Sequence, residues 1–67
     1  MAETANEEPP EGTSVIDAMG RRWVRDDGFY GGDGWANWVL DDDPSVHESW
    51  VKVSGNYGPV TVEAYPS

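Results

Sequence analysis

The stretch "SVIDAMGRRWVR", residues 14–25, decides how this chain is read as a fold. The runs "SVID" and "RWVR" flank "AMG", and Gly20 can supply the positive φ that a tight turn requires. That pattern predicts a β-hairpin with strands over residues 15–17 and 21–25. Downstream, "DDGFYGGDG", residues 26–34, holds four glycines and three aspartates and reads as a loop. Phe29 and Tyr30 at its tip are unusual for such a segment. "WANWVL", residues 35–40, is rich in β-favouring side chains and predicts a third strand. Its alternation puts Trp35, Asn37 and Val39 on one face and Ala36, Trp38 and Leu40 on the other. Both faces are partly apolar, so one tryptophan can lie outside a thin core.

Charge and proline in "DDDPS", residues 41–45, end that strand. The following "SVHESWVKVSGNYGPVTVEAY", residues 45–65, carries two signals. "WVKV" alone is strand-like. Yet Ser45 and Ser49 are both candidate N-caps, Ser45 stands in capping-box spacing before Glu48, and Gly58 with Pro59 forms a helix stop. These features favour a short helix over residues 46–56, against the poor helix propensity of Gly55 and the valines. "PVTVEAY", residues 59–65, alternates with Val60, Val62 and Ala64 on one face and predicts a closing strand. The expected fold is α+β: a small antiparallel sheet of three to four strands with one short helix.

Upstream of the hairpin, residues 1–13 contain four glutamates, two prolines and no basic side chain. Such a segment buries too little apolar surface to offset its ordering entropy and reads as a disordered acidic tail. A single folded domain is expected over residues 14–67. No disulfide, thiolate site or thiol nucleophile is available, because cysteine is absent. Small domains without such staples depend on packing, and the four tryptophans are the obvious material. A buried aromatic contributes roughly 4–6 kcal/mol gross, whereas ordering one residue costs about 1.5 kcal/mol. A chain this small therefore needs tryptophans inside, and Trp23 and Trp35 are the ones expected there.

Asp17, Gly20, Trp23, Arg25, Gly34, Trp35 and the run Tyr57-Gly58-Pro59-Val60-Thr61-Val62 form a recognisable pattern. It resembles that of small proteins of unassigned function from actinobacteria and their bacteriophages. The likeness covers residues 14–62 and leaves out the acidic segment. In that family the part before Tyr-Gly-Pro looks more helical than "WVKVSGN". What the resemblance implies is an accessory protein, phage-encoded or actinobacterial, with no activity attached.

Thirteen acidic residues against four basic ones give a formal net charge of -9, which opposes binding to DNA, RNA or an anionic membrane. Met1 is followed by polar, acidic residues rather than an apolar run, so the expected location is the cytoplasm, that of the host if the chain is phage-encoded. The loops "DDGFYGGDG" and "DDD" lack the alternating ligands and closing glutamate of a calcium loop. No metal, cofactor or catalytic residue is expected. His47 has no oriented nucleophile near it in sequence. Arg21, Arg22 and Arg25 are expected to pair with aspartates or to stack on tryptophan.

The expected function is that of a small acidic protein-binding module, a monomer that occupies and modulates a basic, nucleic-acid-handling protein by imitating phosphate charge. Phe29, Tyr30 and Trp38 are the expected aromatic contacts. Asp27, Asp33, Asp41, Asp42 and Asp43 are the expected charge mimics. The alternative is a structural or assembly component such as a minor virion protein, using the same aromatic surface.

Overall fold

The structure, a computed structural model, describes residues 3–4, 7–27 and 36–66. Six strands and one helix follow in chain order: β1 Glu3–Thr4, β2 Ser14–Ile16, β3 Arg22–Arg25, β4 Trp38–Leu40, β5 His47–Glu48, α1 Trp50–Gly55 and β6 Thr61–Ala64. The strands form one sheet in the order β1-β6-β2-β3-β4-β5, and every neighbouring pair is antiparallel. The small antiparallel sheet with one short helix is therefore as the sequence predicts. Among the described residues it has six strands where three to four are expected. The additional ones, β1 and β5, are two residues each, too short to show any alternation.

The hairpin lies at the centre. Ser14, Val15 and Ile16 stand opposite Val24, Trp23 and Arg22, and Gly20 takes a φ of +85° in the turn. Register then carries one apolar row across four strands: Val62, Val15, Trp23 and Leu40. Trp38 and Leu40 share this face because side chains two apart on a strand point the same way. Val53 of α1 and Val60 close over the row, so the core is Val15, Trp23, Trp38, Val53, Val60 and Val62. Leu40, Val46, Trp50 and Tyr57 pack around it. Val60 and Val62 are buried as the alternation predicts, whereas Ala64 is exposed.

Residues 45–65 divide between both of their signals. His47 and Glu48 pair with Val39 and Trp38, so the helix starts only at Trp50. Ser49 is the N-cap that is used, its Oγ accepting the Lys52 N–H at 3.3 Å. Ser45 is instead spent in the β4–β5 turn, where its backbone N–H and hydroxyl both donate to Asp43 Oδ1, at 3.2 and 2.6 Å. Beyond the helix, Gly58 passes so close to Ser54 that a Cβ there would collide with the Ser54 carbonyl oxygen.

Within the acidic segment, the described residues meet the sheet at several points. Pro9 and Thr13 are buried, and the backbone of Gly12 and Thr13 extends the ladder to Arg25, with Gly12 N–H donating to the Arg25 carbonyl and Arg25 N–H to that of Thr13. Glu3 and Thr4 pair with Val62 and Thr61. Composition judges a segment by what it can bury alone. Here the glutamate and backbone groups find donors on the sheet.

Candidate interaction surface

Three arginines organise the polar structure. The first cluster centres on Asp17, whose side chain is fully enclosed. Its Oδ1 accepts the backbone N–H groups of Met19 and Arg21 at 2.8 and 2.9 Å, closing the turn. Its Oδ2 accepts Arg21 Nε and the Trp23 indole N–H, each at 2.9 Å. Burial alone would raise this carboxyl's pKa. The hydrogen bonds from Trp23, Arg21 and Met19, with the Arg21 charge, outweigh that and leave it below the ordinary carboxylate value. Tyr57 stacks on Trp23 with ring centroids 5.7 Å apart, and the Arg21 guanidinium lies 4.7 Å from the Tyr57 ring centroid. Asp17, Gly20, Trp23 and Tyr57 thus meet in one structural node.

Arg25 organises the second cluster at the other end of β3. It grips Asp27 with two bonds, Nε to Oδ1 at 2.8 Å and Nη2 to Oδ2 at 3.0 Å, and donates through Nη1 to the Pro9 carbonyl at 2.6 Å. Asn37 Nδ2 donates to the same Asp27 at 2.6 Å. Hydrogen bonds from Arg25 and Asn37 pull Asp27 below the usual carboxylate range. Glu8 lies 3.8 Å from Arg25 Nε and accepts the Trp38 indole N–H at 2.9 Å. Trp38 in turn packs on Trp50, with centroids 5.1 Å apart.

Arg22 makes the third cluster, on the exposed face of the sheet. It meets Glu63 at 2.7 Å and Asp41 at 3.5 Å, and Ser14 Oγ donates to Glu63 at 3.0 Å. The Arg22 bond holds Glu63 below its ordinary value. The expected pairing of the arginines with acidic residues and stacking on aromatic rings is what the structure contains.

Of the expected contact residues that the structure describes, not all are exposed. Trp38 is fully buried, so its place among the aromatic contacts is corrected: it is core, because β4 turns Trp38 and Leu40, rather than Val39, toward Trp23. Asp27 is occupied by Arg25 and Asn37. Asp41, Asp42 and Asp43 stand together, exposed, at the β4–β5 turn. Asp43 accepts from Ser45, and Asp41 faces Arg22 across 3.5 Å. Phe29, Tyr30 and Asp33 lie outside the described residues, as does Trp35.

Sequence reasoning missed Glu8, and no signal in the segment itself points across to Trp38. His47 is half-buried on β5 opposite Val39. Among the described residues, no group of three or more histidine or acidic side chains stands in a metal-holding arrangement, and no helix is long and apolar enough to cross a membrane. Comparison with family models, with curated proteins and with solved structures finds no match to this chain.

Proposed function

We propose that this chain is a small acidic protein-binding module that occupies the basic surface of a nucleic-acid-handling protein in place of phosphate. The observation that carries this reading is the internal use of the arginines. Arg21, Arg22 and Arg25 are each bound to a carboxylate of the chain itself. Of the described acidic residues outside those pairs, Glu7, Glu11, Asp26, Asp42 and Asp43 are exposed, and Asp41, Asp42 and Asp43 are contiguous on one turn. Backbone bonds hold that turn: Leu40 N–H to Val46, Val46 N–H to Asp43, and Asp43 N–H to Leu40. A fixed row of carboxylates steers a basic partner and meets it with little ordering cost.

Immobilised protein should capture its partner from a cell extract at low salt and release it to duplex DNA. Asp41→Asn with Asp42→Asn should slow association several-fold with little change in dissociation. Capture indifferent to both salt and DNA would overturn the reading.

A further inference from the structure

We propose that residues 7–11 are a displaceable strap, and that a lysine- or arginine-rich segment of the partner lifts it from Trp38. This inference rests on the reading of the chain as a module for a basic surface. It adds a regulated aromatic contact to the carboxylates already described.

The hold on the strap is mainly polar. Glu8 contributes one hydrogen bond to the Trp38 indole and a 3.8 Å approach to Arg25, and the Pro9 carbonyl accepts from Arg25. Pro9 is the one buried residue between positions 7 and 12. Contacts between charged groups near water weaken when another cation competes for the carboxylate, while apolar contacts do not. Glu7, Glu8 and Glu11 are exposed and are what an approaching cation would meet.

The strap also has a firm end from which to swing. Gly12, at a φ of +91°, and Thr13 are tied by backbone bonds to Arg25, which is held separately by two bonds to Asp27. Lifting residues 7–11 therefore leaves the pairing of β2 with β3 and β6 intact. It strips the Trp38 N–H of its acceptor and opens the indole edge beside the half-buried Trp50. Tryptophan edges with an unmet donor suit a partner's side chain or carbonyl, and tryptophan is the residue type most enriched where binding energy concentrates.

The molecule contains its own control. Among the described residues, two indole N–H groups donate to carboxylates, Trp38 to Glu8 of the strap and Trp23 to Asp17 of the hairpin. Hydrogen exchange of both, followed by NMR on the full chain labelled at the indole nitrogens, separates local lifting from global unfolding. The Trp38 N–H should exchange roughly tenfold or more faster than that of Trp23. Glu8→Gln should speed Trp38 further and leave Trp23 unchanged. Oligolysine added at low salt should accelerate Trp38 exchange and shift its resonance. Equal rates with equal denaturant dependence would overturn the strap. So would oligolysine that shifts the amides of residues 41–43 without affecting Trp38, an outcome that leaves the proposed function standing. Oligolysine that fails to bind would overturn that function and the strap's trigger together.

Discussion

At Asp17 an enclosed carboxylate stays charged although burial favours its neutral form, because two backbone N–H groups, an indole and a guanidinium all donate to it. Its folded pKa lies below the unfolded value, which is about 3.9. The stability it contributes is thus present above that value and is lost as pH falls through the folded pKa. Asp27 and Glu63, lowered by their arginine partners, act with the same sign. Asp17→Asn replaces an acceptor with a donor facing the Trp23 and Arg21 N–H groups. It should cost about 2–3 kcal/mol and flatten the acid side of the stability profile, as measured by urea unfolding between pH 2 and about 6. Gly58→Ala should also lower the melting temperature, since the added methyl meets the Ser54 carbonyl oxygen in backbone that has little room to retreat.

Among the elements, α1 is the least self-sufficient. Six residues are too few for a stable isolated helix, so it depends on its cap and on burying Val53. Ser49→Ala should destabilise the domain by about 1 kcal/mol in denaturant melts. Ser45→Ala, in the exposed turn, should change stability by less than about 0.5 kcal/mol. The same pair shows what was legible in the sequence. Both serines have cap chemistry, but only strand pairing of His47 and Glu48 with β4 decides between them, and that pairing is non-local. The β2–β3 hairpin was legible because its turn signal and its strands are contiguous, and Trp23 followed from it. The alternation along residues 35–40 was legible too, yet not which face meets the core: the sheet turned Trp38 inward. The contacts of Pro9 and Glu8 were not legible, because their partners Arg25 and Trp38 lie 16 and 30 positions away. Deleting residues 1–12, harmless to a domain with a free tail, should here perturb the Arg25 and Trp38 resonances and lower the melting temperature.

For the whole molecule, the net charge of -9 sets a repulsion that the three arginine clusters only partly relieve. Close pairs at 2.7–2.9 Å are screened little by salt, whereas repulsion between separated carboxylates fades once the Debye length falls to about 3 Å near 1 M. The melting temperature should therefore rise from low to high salt, the reverse of what stability resting on the ion pairs would give. The sheet's outline has another consequence. Its outermost strands, β1 and β5, are two residues each, and β1 covers only Thr61 and Val62 of the four-residue β6. Each border thus offers a newcomer chain two residues of ladder, with Glu3 or Glu48 among them. So short and acidic a border is a poor template for strand addition. Concentrated solutions of the folded protein should stay free of fibrils, and acid, which loosens the Asp17 turn as pH falls through its lowered pKa, is where resistance to fibrillation should first fail.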